Sequence, residues 1–304
     1  MFFLRIIVLL ALNTKIFCEE IPPIESLPLS NWLNPTDRDY RILENYLHEK
    51  YSERALAPRV KKSFKNIKFV GNGSLPKLNV KYLNNDKHNK KNLIIAYGTL
   101  VDEYKDMIQE LIESICKVGF DGHLMYQIGG WPNTEQGDLF LCDVPYSFKI
   151  CFFREAQRLG YKNVLWLDTS VIVNKRLEPI FSLIEENGCV YRYSNHPLRI
   201  PRVARDNFSP IGKNGEPIKH IAAGILGFDL HNPKVKLLLD KWYNLAVDYP
   251  EVFFSNFPEQ LPLSIVIQEM GMDDYPLPLE WVAIGKKETI LNQPILSVIR
   301  WGRK

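Results

Sequence analysis

Apolar runs alternate with segments of helical periodicity over most of residues 92–270. The uninterrupted runs predict strands buried on both faces, and the spaced apolar residues predict amphipathic helices that end at glycines. The predicted strands are 93–98, 123–128, 163–168, 189–193 and 221–230, and the predicted helices are 104–118, 147–159, 177–184, 233–247 and 259–270. Strands alternating with helices predict an α/β fold with a mainly parallel sheet sandwiched by helices.

The N-terminal third has a different pattern. Residues 1–18 have a basic start, an apolar stretch and then Cys18 before two glutamates, which is the layout of a secretory signal peptide. An apolar N-terminal helix that stays on the protein is the alternative. Residues 19–90 combine prolines, one amphipathic helix and a lysine-rich segment, and we interpret them as a small N-terminal extension. The predicted organisation is therefore 1–18, 19–90 and a main domain at 91–304, with the protein exported or in the secretory pathway.

The composition is that of an ordinary globular protein. The chain has 304 residues, of which 46% are hydrophobic, and its net charge of +3 is too small to indicate nucleic-acid binding. No cysteine or histidine pair has the spacing of a zinc site. The prediction for the cysteines is buried thiols, although loss of Cys18 would leave four that could form disulfides: Cys116, Cys142, Cys151 and Cys189.

Asp168 follows the buried run Val164–Leu167 directly. In open α/β sheets, ligands bind outside the carboxyl ends of the strands, so this carboxylate is the first candidate for a site. An unpaired buried carboxylate costs several kcal/mol, so Asp168 should face a cation, hydrogen-bond donors or a ligand hydroxyl. The alternative is an aspartate that only caps the following turn.

Five segments occur in a defined order: 92–99, 145–149, 164–170, 220–228 and 259–260. This order, over about residues 92–275, resembles the GT-A nucleotide-sugar glycosyltransferases, whose fold is a Rossmann-like α/β sandwich. The resemblance implies a first strand that cradles the nucleotide, a later strand that ends in Asp-x-Asp, and an Ala-Gly strand on the acceptor side. It also implies a nucleotide-sugar donor and a glycan, lipid or protein acceptor.

The chain departs from the family pattern at Ser170, where the family has its second carboxylate. In the family the paired carboxylates hold Mg²⁺ or Mn²⁺ against the sugar diphosphate, because hard cations prefer carboxylate oxygens. We therefore expect a weak metal site, with Asp168 as its ligand and Ser170 beside it. Asp168 could instead accept a hydrogen bond from a ribose hydroxyl.

Several further residues are candidates around Asp168. Thr99 ends the first strand, and Lys149 near a helix start opposes the helix dipole, which suggests an anionic partner. Arg199 and Arg202 lie in a basic loop at 192–219 and could neutralise the leaving diphosphate. An ordinary surface lysine and a solvated loop are the alternatives. Asp273 is the candidate base on the acceptor side.

Two functions are consistent with this pattern. The first is a glycosyltransferase of hexosyltransferase type that moves a sugar from a nucleotide sugar to an acceptor. The second is an exported, non-catalytic protein that uses the same fold to bind a glycan or a nucleotide. Residues 72–74 and 207–209 match the acceptor motif for N-glycosylation, which applies in a eukaryotic secretory route. Membrane association is expected only through an uncleaved N-terminal segment.

Overall fold

The computed structural model describes residues 78–98, 102–128, 141, 144–198, 200–208, 218–285 and 294–299. All of them belong to one compact unit at 57–304. The predicted signal peptide, most of the predicted extension, Thr99 and Arg199 lie outside the described residues. None of the helices described is long and apolar enough to cross a membrane.

A six-stranded mixed sheet forms the centre of the unit. In spatial order its strands are β1 (Asn79–Tyr82), β3 (His123–Ile128), β2 (Asn92–Gly98), β4 (Asn163–Leu167), β7 (Ile221–Asp229) and β6 (Cys189–Tyr193). β2 pairs in parallel with β3 and β4, whereas β1, β7 and β6 join by antiparallel pairing. β2, β3, β4 and β6 consequently point the same way.

Helices cover both faces of this sheet, so the predicted α/β class is confirmed. The sheet is mixed rather than mainly parallel, because only two of its five strand pairings are parallel. Helices α1 (Asp102–Lys117) and α3 (Glu178–Asn187) pack on one face. The other face is covered by α2 (Phe148–Arg158), α5 (Pro233–Asp248) and α6 (Gln260–Glu269). All of β4 is buried, as its continuous apolar run predicts.

A second sheet of three strands lies on the α1 side. It has the order β5-β9-β8, with β5 (Val171–Val173), β8 (Val282–Gly285) and β9 (Leu296–Ile299). β5 begins three residues after Asp168, so the chain leaves the large sheet and enters the small one through a tight turn. Val171 N donates to Asp168 O at 2.9 Å, and Ile299 N donates to Ser170 O at 2.8 Å.

Three details differ from the sequence-based expectations. β1 lies in the segment assigned to the N-terminal extension, yet it pairs with β3 at the edge of the large sheet. A short helix, α4 (Arg202–Asn207), occupies part of the predicted loop at 192–219, because Ala204 turns inward and is buried. Cys116 is exposed rather than buried, whereas Cys151 and Cys189 carry buried thiols. Cys116 lies on the outer side of the amphipathic helix α1.

Candidate functional site

Asp168 lies at the carboxyl end of the central strand β4, as the apolar run before it predicts. Its backbone N donates to Gly224 O of β7 at 2.9 Å. Its carbonyl accepts from Val171 N, which closes a β-turn over residues 168–171. The side chain remains 39% exposed. The turn therefore holds the backbone firmly and leaves the carboxylate open to a ligand.

The two oxygens of Asp168 have different surroundings. Oδ1 accepts from Trp166 Nε1 at 2.7 Å and pairs with Lys149 Nζ at 3.0 Å. Oδ2 faces Gly224, where an added Cβ would lie only 3.1 Å away from it. No donor among the described residues bonds to Oδ2. Oδ1 is thus fixed by Trp166 and Lys149, whereas Oδ2 lies next to Gly224 and can accept a hydrogen bond from a ligand.

Lys149 lies in the first turn of α2 and is fully buried. Its ammonium group contacts Asp168 Oδ1, Glu259 Oε1 at 3.0 Å and Ala223 O at 2.8 Å. A lysine has three hydrogens to donate, so these partners use all of them. Burial lowers the pKa of Lys149, but the two carboxylates outweigh it and the pKa is raised overall. The anionic partner suggested by the position of Lys149 is therefore supplied by the protein itself.

Glu259 completes this buried cluster and was not among the predicted site residues. It directly precedes α6, and only 4% of its side chain is exposed. The sequence marks Glu259 only as a member of the five ordered segments. Its partner Lys149 is 110 positions away, and such a pairing leaves no local signal in the sequence.

Tyr146 has an unusual backbone conformation beside the cluster. Its φ is +62°, in the left-handed region, which costs an L-residue roughly 1–2 kcal/mol. The residue is 43% exposed, and its ring centroid lies 6.0 Å from Lys149 Nζ. The sequence pattern gave no sign of this strain.

Ser170 and Asp168 do not lie on the same face of a strand. β4 ends at Leu167, and residues 168–171 form a turn, so the alternation of a strand stops before Ser170 is reached. The described residues hold no group of three His, Cys, Asp or Glu side chains that could bind a metal. The Lys149 ammonium already supplies a positive charge next to Oδ1, where a metal ion would otherwise bind. These residues do not fit a conventional site for Mg²⁺ or Mn²⁺.

Among the described residues, the candidates Asp273 and Arg202 do not contact Asp168. Asp273 follows α6, and its Oδ2 pairs with Lys219 Nζ at 3.1 Å. Its carbonyl accepts from the hydroxyl of Tyr193, at the end of β6. Hydrogen bonding to Asp273 is the main cause of a raised pKa at Lys219. Arg202 is 87% exposed and pairs with Asp206 within α4, at 3.2 Å.

Comparison with known proteins gives partial structural similarities. No family description and no curated protein matches the chain. The chain is similar to a glycosyltransferase involved in the glycosylation of the major capsid of PBCV-1, with 13% identity and a TM-score of 0.43 over 68% of this chain and 92% of that one. It is also similar to the apo structure of the WbbM bifunctional glycosyltransferase, with 14% identity and a TM-score of 0.44 over 72% of this chain and 47% of that one.

Proposed function

We propose that this chain transfers a sugar from a nucleotide-sugar donor to an acceptor, and that Asp168 contacts the donor. The observation that carries the proposal is the half-exposed carboxylate at the carboxyl end of β4, which a buried lysine holds in place. This edge of an α/β sheet is where ligands bind. The order of the five sequence segments supports the same class of reaction.

The arrangement around Asp168 suits recognition of a sugar hydroxyl. A carboxylate oxygen accepts hydrogen bonds only, and bonds to an ionised acceptor are roughly twice as strong as neutral ones. Trp166 and Lys149 fix the side chain through Oδ1, so Oδ2 does not need to be reoriented when a ligand arrives. In our proposal Oδ2 accepts from a hydroxyl of the ribose or of the transferred sugar.

We further propose that the reaction depends less on a divalent metal than the Asp-x-Asp pattern would require. The Lys149 ammonium lies 3.0 Å from Oδ1 and repels a second cation at this carboxylate. Arg199 and Arg202 remain our candidates for neutralising the leaving diphosphate. Asp273 remains the candidate base for the acceptor, although its Oδ2 pairs with Lys219.

A ligand screen followed by a turnover assay tests the proposal. Thermal unfolding is measured with UDP- and GDP-sugars, with Mn²⁺ and with a chelator. A ligand at 100 times its Kd adds about 2.7 kcal/mol of stability, which a thermal shift resolves. We expect one donor to stabilise the protein, and we expect its slow hydrolysis to release the nucleoside diphosphate.

The other outcomes of the screen discriminate between the candidates. Binding of a donor without any hydrolysis or transfer favours the non-catalytic alternative. No binding by any nucleotide sugar contradicts the proposal as a whole. Complete loss of turnover on chelation, with Arg199→Ala and Arg202→Ala both silent, would contradict the reduced dependence on metal.

A further inference from the structure

The strained backbone of Tyr146 is the strongest feature that the proposed function leaves unexplained. Within the described residues, only Asn85 and Tyr146 combine a side chain with a positive φ. Asparagine is among the residues that tolerate this conformation, whereas for a bulky aromatic residue it is an outlier. Residues held in strained conformations cluster at ligand sites, where the surrounding structure keeps them in place.

The turn around Tyr146 is held from several sides. Ser147 is completely buried, and its hydroxyl lies within hydrogen-bonding distance of Leu141 O, at 2.9 Å, and Val144 O, at 2.8 Å. Ser147 N also donates to Val144 O, and Lys149 N donates to Tyr146 O. These bonds fix the backbone on both sides of Tyr146. The left-handed conformation is therefore imposed on the residue and directs its ring.

The ring of Tyr146 lies next to the proposed donor site. One side of it packs near Phe148, with ring centroids 5.6 Å apart, and the residue as a whole is 43% exposed. Lys149 Nζ is 6.0 Å from the ring centroid and 3.0 Å from Asp168 Oδ1, so the ring and the carboxylate flank the same ammonium group.

The phenol of Tyr146 is a hydrogen-bond donor at physiological pH. Burial, followed by the negative charge of Glu259, raises the pKa of Tyr146 to about 12. The hydroxyl therefore keeps its proton and can donate, while the exposed Oδ2 of Asp168 can only accept. A donor and an acceptor on neighbouring side chains, next to an apolar ring face, match the hydroxyls and the C–H face of a sugar ring.

The geometry points to Tyr146 as the residue that recognises the sugar of the donor. This inference rests on the proposed function and names a specificity determinant for it. The ring covers one face of the sugar, and the phenol donates to a sugar hydroxyl next to Asp168. The strain at Tyr146 is retained because it places the ring over the sugar.

Binding measurements on two variants test this role. The dissociation constants of UDP-glucose, UDP, GDP-mannose and GDP are measured by calorimetry for the wild type, Tyr146→Phe and Tyr146→Asn. Tyr146→Phe removes one hydrogen bond and should weaken the better nucleotide sugar by about three- to tenfold. Tyr146→Asn also removes the ring and should weaken it by at least about tenfold. Affinity for the matching sugar-free diphosphate should stay within about twofold.

Thermal unfolding separates this role from a structural one. Asparagine tolerates the left-handed conformation, so Tyr146→Asn should raise the Tm by about 2–5 °C while it weakens sugar binding. A purely structural tyrosine would show a lower Tm instead. Tyr82, which is 46% exposed on the edge strand β1, provides the matched controls Tyr82→Phe and Tyr82→Asn. Neither control should change the affinity for any of the four ligands.

Two results would overturn the inference in distinguishable ways. If the wild type binds a nucleotide sugar and both Tyr146 variants bind it equally well, only the role of Tyr146 is wrong. Equal weakening of a nucleotide sugar and its diphosphate would likewise exclude recognition of the sugar. If the wild type binds no nucleotide sugar in the thermal screen, the proposed function fails, and the role of Tyr146 fails with it.

Discussion

The φ of Gly224 does not lie in the left-handed region, so its backbone conformation does not call for glycine. Its role is to leave space next to the carboxylate of Asp168. A Cβ at this position would lie 3.1 Å from Asp168 Oδ2 and 3.6 Å from Cγ. The first distance is tighter than an ordinary van der Waals contact, so the carboxylate would have to move. Asp168 is fixed at Oδ1 by Trp166 and Lys149 and has little freedom to do so.

Gly224→Ala should therefore weaken donor binding far more than it weakens the fold. We expect a loss of at least about tenfold in affinity, because the methyl group would cover Asp168 Oδ2, the oxygen that we propose accepts from the donor. Calorimetry with the donor found in the screen measures this loss. Gly119→Ala is the control, because Gly119 has a φ of +67° and open space around it. The control should lose stability through backbone strain and keep its affinity, and the reverse pattern would contradict this role of Gly224.

At the scale of elements, the buried cluster joins four parts of the fold. Lys149 belongs to α2, Asp168 follows β4, Ala223 lies in β7, and Glu259 precedes α6. Removing one partner of a buried ion pair leaves an uncompensated charge, which costs about 3–5 kcal/mol. The cluster therefore couples the position of the helices on one face to the position of Asp168 at the end of β4.

A double-mutant cycle tests this coupling. Lys149→Met should lower the free energy of unfolding by about 3–5 kcal/mol, since Glu259 is left buried without a cation. Adding Glu259→Gln should restore part of the loss, because the uncompensated charge is removed. Urea unfolding measures the free energy of unfolding of the wild type, the two single variants and the double variant. Lys162→Met is the exposed control, because Lys162 pairs with Glu185 at the surface, and it should cost no more than about 1 kcal/mol. Strict additivity of the two buried substitutions would exclude the coupling.

A second ionic group links α3 to the beginning of β4 and makes stability depend on pH. Glu185 Oε1 accepts from Lys162 Nζ at 2.9 Å and from Asn163 Nδ2 at 3.1 Å. These bonds, with the Lys162 bond first, lower the pKa of Glu185 to about 2 from a usual value of 4.5. A lowered pKa in the folded state means that the stabilisation is present above pH 4.5 and is lost as the pH falls towards 2.

Glu185→Gln should accordingly flatten the pH dependence of unfolding in this window. The wild type should lose stability between about pH 4.5 and 2, and the variant should lose less over the same interval. Urea unfolding at several pH values measures the difference. Glu178→Gln on the same helix is the control, because Glu178 is 54% exposed and lies 3.5 Å from its nearest cation, Arg176. Identical pH profiles for the wild type and Glu185→Gln would contradict the assignment.

At the scale of the whole molecule, local patterns predicted five of the six strands of the large sheet and the helices that cover it. They did not predict the three-stranded sheet or the long-range pairing of the strands. The apolar run before Asp168 indicated a central buried strand because burial on both faces leaves a direct mark on composition. The antiparallel insertion of β7 beside β4 leaves no such mark. The same reason explains why Asp168 was predicted as a site residue and Glu259 was not.

The finer geometry of the site depends on features that the sequence does not encode locally. The turn at residues 168–171 leaves no clear mark in the sequence, because the apolar pattern of β4 resumes in β5 directly after it. The strain at Tyr146 arises from bonds made by Ser147 to carbonyl groups up to six residues away. Such conformations are set by tertiary structure and function rather than by propensity.

The most direct test of the account is the affinity of Asp168→Asn for the nucleotide sugar that binds the wild type. The matched control is Asp229→Asn. Asp229 also ends a strand, β7, but it lies next to Asn163, at the end of β4 opposite to Asp168. Calorimetry should show that Asp168→Asn loses binding by about ten- to a hundredfold, since a charged acceptor fixed in the site is replaced by a neutral amide. Asp229→Asn should bind as the wild type does. Equal affinities for Asp168→Asn and Asp229→Asn would contradict the claim that Asp168 contacts the donor.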